Sequence, residues 1–352
     1  MKGTILMKKK LSLLLAAALT LSMLASCGPK TTSDGSGSVS GSENPSSSVS
    51  TPTTDLPDFM VLSGPTGVGA AKLMADNETA ADEDKVIASA TVVADNQEVN
   101  DALISGNADI AAIATNVAAT LSAKTDGAIQ VLAVNTLGVL YILEKGDSVN
   151  SMADLAGKTV YATGQGANPE YVLNYLLTQN GVDPADVDIQ WMTAQEVSAK
   201  MTSSEQAICM LPVPAATALM IQDSSVRQAV SLSDEWDALG QGSLAMGCVV
   251  ARTEYVEENP QAVENFLTAY EASINYMKDE ANADQASQLV AQYEITPNAK
   301  VAAAAIPQCN LTYLAVQEMR STLEQYYQVL FQADPAAIGG SMPYDSFYYG
   351  AE

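Results

Sequence analysis

The sequence predicts an α/β protein of two lobes, each a mostly parallel sheet flanked by helices, with a helical C-terminal tail packed on the first lobe. Three observations predict it. From Phe59 onward, strand-like apolar runs alternate with helical stretches, the pattern of parallel sheets covered on both faces. The alternation breaks at Glu144 to Asn150 and then restarts as a second unit. About 297 residues follow Asp55, too many for one core of ordinary size and enough for two.

The chain opens with an export leader. Lys8, Lys9 and Lys10 precede an apolar run from Leu11 to Leu24, and Leu24-Ala25-Ser26-Cys27-Gly28 resembles the bacterial lipobox. Residues 1–26 are therefore expected to be a lipoprotein signal peptide, and Cys27 the lipidated residue. A run of about 14 apolar residues falls short of the roughly 20 that span a bilayer as a helix. Residues 27–55 carry Ser, Thr, Gly and Pro with hardly an apolar side chain, so burial cannot offset the entropy of ordering them. They read as a disordered tether with a reach of roughly 30 Å.

The first lobe is expected over 56–145 and 245–352, the second over 146–244. Phe59 to Ser63 reads as a strand, followed by the loop Gly64 to Gly69 and a helix through Ala70 to Ala75. A strand near Val86 to Val93 leads to a helix around Glu98 to Ser105, which Gly106 stops. Strand Ile110 to Ala114 runs into Thr115-Asn116 before a helix from Val117; strands Ile129 to Val134 and Val139 to Leu143 follow. In the second unit, strand Thr159 to Ala162 feeds the loop Thr163 to Asn168, with Asn168 as cap and Pro169 as first helical residue. Strands Val187 to Trp191 and Ala207 to Leu211 enclose a helix whose Thr193 and Glu196 form a capping box. Strand Leu244 to Ala251, an amphipathic helix from Pro260 to Lys278, and a helix from Leu311 to Phe331 complete the chain.

Composition excludes several functions. The net charge is −25, and loss of the leader with its four lysines takes it to −29, which repels nucleic acid and anionic lipid. There is no histidine, which removes Ser-His-Asp and Cys-His hydrolysis, His-ligated metals and His general-base chemistry. No cofactor, metal or catalytic residue is called for. Beyond Cys27, the cysteines Cys209, Cys248 and Cys309 lie far apart without a CxxC; one disulfide with a spare thiol is open, and buried apolar cysteine is favoured.

In open α/β sheets ligands bind beyond the carboxyl ends of strands, where loops enter helices. Four such loops stand out, two from each lobe: Gly64 to Gly69, Thr115-Asn116-Val117, Thr163 to Asn168, and Pro212-Val213-Pro214. Each places backbone N–H groups and a helix N-terminus at one cleft. The first is not a phosphate loop, because Ala70 and Ala71 stand where Lys and Ser or Thr are needed. Gly164-Gln165-Gly166 lacks the third glycine of a dinucleotide fingerprint. Tight turns chosen for backbone geometry remain the alternative for both. Tyr141, Tyr161, Tyr171, Trp191 and Trp236 are candidates for stacking a flat ligand or else core residues, and Tyr344, Phe347, Tyr348 and Tyr349 are expected to tie the tail to the first lobe. None of the four loops carries a charge, and the chain has three arginines, Arg227, Arg252 and Arg320. An anionic ligand is usually met by a bidentate arginine and a cation by carboxylates or an aromatic cage, so a neutral or weakly charged polar solute is expected, a heteroaromatic among them; a small anion held only by helix N-termini stays open.

The motifs in order are the lipobox, Gly64 to Gly69, Leu103, Gly106 and Asp109 within Val99 to Ile110, Asp154 to Val160, and Asn259-Pro260 with Phe266 and Ala269. In that order, over essentially all of Leu56 to Phe347, the chain resembles bacterial ABC-transporter solute-binding lipoproteins of the nitrate, sulfonate and pyrimidine-precursor type. The resemblance implies the type II periplasmic-binding fold. It also implies a monomer, lipid-anchored outside the cytoplasm, that closes on a small solute and presents it to a permease and its ATPase. Carried over, Thr66, Gly67, Val68, Thr115 and Asn116 are first-lobe contacts, and Gly164, Gln165, Gly166, Pro212, Val213 and Pro214 second-lobe contacts. The alternatives are an enzyme of the same fold acting on a small precursor, or a solute-sensing lipoprotein without transport.

Overall fold

A computed structural model describes residues 55–351; the predicted leader, Cys27 and all of the tether but Asp55 lie outside the described residues. The first stretch runs β1 (Asp58–Leu62), α1 (Pro65–Thr79), β2 (Ser89–Val93), α2 (Asn96–Ser105), β3 (Ile110–Ala114), α3 (Thr115–Lys124) and β4 (Ile129–Thr136). Next come β5 (Leu140–Lys145), β6 (Thr159–Ala162), α4 (Asn168–Gln179), β7 (Asp188–Trp191), α5 (Ala194–Ser203), β8 (Ala207–Pro212), α6 (Ala215–Gln222), β9 (Val226–Ser231) and α7 (Leu232–Ala238). The chain ends with β10 (Gly247–Arg252), α8 (Thr253–Glu258), α9 (Pro260–Lys278), α10 (Ala283–Gln292), α11 (Ala299–Ala305), β11 (Leu311–Ala315) and α12 (Val316–Ala333).

Two sheets form, in the orders β11-β4-β10-β3-β1-β2 and β7-β6-β8-β5-β9. They are mixed rather than mostly parallel. β1 pairs in parallel with β2 and β3, and β6 with β7 and β8, whereas β10 runs against β3 and β4, β11 against β4, and β5 against β8 and β9. The reason is connectivity: a strand arriving from the other sheet starts at the edge where the parallel strands end, so it must run against them. β5 and β10 are those strands.

This also moves the first crossing. β5 was expected to close the first lobe, but it pairs within the second sheet, so the chain crosses between Thr136 and Leu140 instead of near 145. Likewise the expected helix from Leu311 begins as strand β11, whose Leu311 and Leu314 pair with Thr136 and Val134. At the crossing, Leu137 N donates to Asn310 O (3.1 Å) and Asn310 Nδ2 to Gly138 O (3.2 Å).

The predicted amphipathicity of α9 is used against β1 and α1. Val263, Phe266, Tyr270, Ile274 and Met277 recur at helical spacing on its buried face. Phe59 of β1 meets the Phe266 ring edge-on at 5.0 Å, and Phe266 stacks on Tyr270 at 5.4 Å. Burying each such side chain stabilises by roughly 1.5–3 kcal/mol. The tail docks where expected except at Tyr344, which is exposed: Tyr349 N donates to Val131 O (3.0 Å), with Phe347 and Tyr348 buried beside β4. Cys209, Cys248 and Cys309 are buried and unpaired.

One buried carboxylate pins the start of the second lobe. Glu144, 2% exposed, accepts from Ser148 N and Oγ, Val149 N and Arg227 Nη2. Burial opposes its charge, but the bonds from Ser148 and Val149 and the Arg227 guanidinium outweigh that and hold its pKa below the ordinary glutamate value. A folded-state pKa held below the unfolded one contributes stability above the unfolded pKa that is lost as pH falls. Urea unfolding from pH 7 to 3 is therefore expected to show stability dropping below about pH 4.5, with a flatter drop in Glu144→Gln. An equally steep drop in that variant would assign the acid sensitivity elsewhere.

Candidate functional site

The carboxyl ends of the parallel strands in the two sheets face one another across a cleft of about 1140 Å³. Its first-lobe wall is built by the β1–α1 junction (Leu62 to Thr66), by Ala114, Thr136, Met246 and Gly247, and by the segment Glu294 to Pro297. The second-lobe wall is Thr163, Gly164, the start of α4, the β8–α6 junction Pro212 to Ala215, and one face of α5. That face is Ala194, Ser198 and Thr202, spaced four apart, with Gln195 and Ala199 beside them.

Of the predicted contacts, Thr66, Gly164, Pro212, Val213 and Pro214 line the cleft. Gly67, Val68, Thr115, Asn116, Gln165 and Gly166 are not among the lining residues, and helix register explains most of them. α1 begins at Pro65, so Gly67 and Val68 belong to its buried first turn instead of a loop. The space beside Gly67 is taken by Ile295, whose Cδ1 lies 3.3 Å from where a Cβ would stand. Gln165 and Gly166 are exposed, and Gly166 N donates to Glu170 Oε2 (2.6 Å). Gly164, at φ +92°, has Pro169 Cγ 2.5 Å from its missing Cβ, so the glycine admits the proline ring.

Thr115 and Asn116 open α3 and serve a joint between the lobes. Asn168, predicted as a cap, is the first residue of α4, and its side chain caps nothing there. Instead Asn168 Nδ2 donates to Thr115 Oγ1 (2.9 Å) and to Met246 O (2.7 Å), while Tyr326 OH on α12 donates to Asn168 Oδ1 (2.9 Å). Thr115 Oγ1 donates in turn to Ala245 O (2.6 Å), Tyr327 OH to Thr115 O (2.8 Å), and Asn116 Nδ2 to Ala337 O (3.3 Å). Asn168, Thr115, Tyr326 and Tyr327 are each 0% exposed. With Asn168, Thr115 and both tyrosines paired in a low-dielectric site, this knot fixes how α4 meets the first lobe. The rings extend it: Trp236 of α7 packs at 5.5 Å from Tyr326 and 5.4 Å from Tyr175.

None of the aromatic side chains considered for stacking lines the cleft. Trp236 is core, and Tyr161 lies under Lys200 Nζ at 5.7 Å from its ring centre. Sequence reasoning missed Thr136, the polar face of α5, and Glu294 to Pro297. The Thr136 signal was available, since Asn135-Thr136 is a polar pair closing the apolar run Ile129 to Val134. Thr136 is 1% exposed and its hydroxyl has no partner among the described residues; Asn135 gives Nδ2 to Tyr270 OH (2.9 Å), and its Oδ1 has none among them either. An unpaired buried hydroxyl costs free energy, which a bound donor or acceptor would return. Among the described residues, Glu294 is the one ionisable side chain in the lining.

A family model described as NMT1/THI5 like matches residues 92–283. An ABC transporter structure from Parabacteroides distasonis is similar with a TM-score of 0.68 at 21% identity, over 84% of this chain and 98% of that one. The periplasmic aliphatic sulphonate binding protein SsuA from Escherichia coli gives 0.63 at 18% identity, over 79% and 87%. The periplasmic nitrate-binding protein NrtA from Synechocystis PCC 6803 gives 0.56 at 16%, over 81% and 84%. Among curated proteins, none matches the chain. These likenesses show the fold: two sheets flanked by helices in the two-lobed arrangement of periplasmic binding proteins.

Proposed function

This chain belongs to the NMT1/THI5-like family, and from that premise we propose that it is the extracytoplasmic solute-binding component of an ABC importer. It captures a small, neutral or weakly charged polar solute between two hinged lobes and delivers it to a permease worked by an ATPase. Lipidated Cys27 and the tether hold the monomer at the membrane. The observation that carries this reading is the cleft itself, about 1140 Å³ with walls from both sheets. That is at or above the roughly 300–1,000 Å³ usual for small-molecule sites, as an open state should be. A solute touching both walls binds the closed state better and shifts the population toward it. Acid–base chemistry needs a donor and an acceptor of matched pKa, and among the described residues Glu294 is the one ionisable side chain in the lining, which favours binding over catalysis.

Thr66, Thr136, Gly164 and Pro212 to Pro214 are the contacts this reading assigns. The test is a thermal-shift screen of the full chain in a non-ionic detergent against amines, amides, sulfonates, small anions and nucleobases. A ligand at one hundred times its Kd adds about 2.7 kcal/mol, and the bound compound should be recovered chemically unchanged. Conversion of the compound, or no shift from any class, would overturn the reading. Thr136→Val is expected to weaken the solute by about fivefold without lowering thermal stability, because it deletes a hydroxyl that has no partner in the empty protein. Unchanged affinity would remove Thr136 from the site.

A further inference from the structure

Among the described residues the one charge in the cleft lining is negative, and the helix N-termini that would hold an anion are short of free N–H groups. Helices α2 and α5 open at the cleft behind Asp95 and Thr193, which accept from Gln97 N and Glu196 N, and α1, α4 and α6 open there with a proline at the start of each: Pro65, Pro169 and Pro214. Each ring removes an N–H near the helix N-terminus that would otherwise contribute to anion binding. At α4, Glu170 sits in the first turn and its carboxylate already takes Gly166 N. Among the described residues no arginine, lysine or aromatic ring lines the cleft, whose apolar walls are aliphatic: Leu62, Val139, Leu140, Val213, Met246 and Ile295.

Glu294 is placed to act on what enters. It follows α10 at φ +55°, exposed, with no ion-pair partner among the described residues. Its neighbour Ile295 is 6% exposed and packed in the notch that Gly67 leaves on α1, so the carboxylate stands on a fixed base. Resting on the solute-binding reading above, we propose that the solute is an aliphatic amine in its protonated form, with Glu294 as its counter-charge and the aliphatic walls around its chain. The cleft's hydroxyl side chains can accept from an ammonium group, and its single carboxylate disfavours a sulfonate or carboxylate.

Three probes of one length separate the possibilities: pentylammonium, pentanamide and pentanesulfonate, titrated calorimetrically into the full chain in a non-ionic detergent at pH 7. Pentylammonium should bind tightest and pentanesulfonate weakest. Glu294→Gln should weaken pentylammonium by about fivefold, the scale of one exposed ion pair, and leave pentanamide within twofold. Glu294→Lys should reverse the order of pentylammonium and pentanesulfonate. Tightest binding of the sulfonate by the native chain, or an unchanged pentylammonium affinity in Glu294→Gln, would overturn the proposal while leaving the solute-binding reading standing. If none of the three binds, the screen above decides: a shift from an anion or a nucleobase overturns the amine alone, and no shift from any class overturns both.

Discussion

Replacing Asn168 by Ala should destabilise the protein by about 3 kcal/mol. The expectation follows from which partners are left behind. Met246 O still accepts from Thr115 N (3.2 Å), and Thr115 Oγ1 still donates to Ala245 O, so both remain satisfied. Tyr326 OH does not, and at 0% exposure it cannot turn to water. An orphaned buried donor costs about 1–3 kcal/mol, to which the lost side-chain volume adds. Tyr326→Phe should cost less, about 1–2 kcal/mol, since it leaves Asn168 Oδ1 unpaired but keeps its two donor bonds. Combining Asn168→Ala with Tyr326→Phe replaces both halves of that bond by apolar groups, so the double variant should be more stable than the sum of the single losses by about 1–2 kcal/mol. Urea unfolding of the four proteins measures the cycle. Additive losses, or a loss under about 1 kcal/mol for Asn168→Ala, would mean that the knot does not hold the lobes together.

That knot also marks the limit of what the sequence made legible. Strands such as Ile110 to Ala114 and the capping box of Thr193 and Glu196 are local: an apolar run or a side chain three residues away is enough to specify them. The two lobes followed from the same local evidence. Direction and partner were not local. β5 and β10 read like any apolar strand, and only the crossing of the chain makes them antiparallel; Leu311 to Ala315 reads as the front of α12 until β4 is there to pair with it. Three of the four loops line the cleft and Thr115 to Val117 does not, and which residue of each faces it depends on where its helix starts. A start at Pro65 in place of Ala70 turns Gly67 and Val68 inward, and a start at Asn168 sends its amide across to Thr115 in place of capping α4. Glu294 could not be found at all from the strand–loop–helix rule, because its segment joins two helices and reaches the cleft only by packing Ile295 on Gly67.

Gly247→Val should cost about 3 kcal/mol and abolish solute binding together, because two of the three neighbours that block the new side chain, Thr66 and Thr136, line the cleft beside Gly247. A Cβ at 247 would stand 2.6 Å from Asn135 Oδ1, 2.7 Å from Thr66 Cγ2 and 3.1 Å from Thr136 Cβ. None of the first two is free to give. Asn135 is held by Tyr270 OH at 2.9 Å, and Thr66 Oγ1 donates to Leu62 O at 2.7 Å. The backbone cannot retreat either, since β10 is bonded to β3 on one side and β4 on the other, with Gly247 opposite Ala114 and Thr136. Backbone strain plays no part here, so the whole penalty is steric, and it should fall when a blocking atom is removed. Thr66→Ser deletes the Cγ2 methyl and keeps the hydroxyl that holds Leu62 O. In that background Gly247→Ala should regain about 1 kcal/mol relative to Gly247→Ala alone, measured by urea unfolding, with solute affinity recovering in parallel in calorimetric titration. If Gly247→Val keeps native stability, the close packing of the floor is not a constraint; if it loses stability but binds solute normally, the floor of the cleft is not where the solute sits.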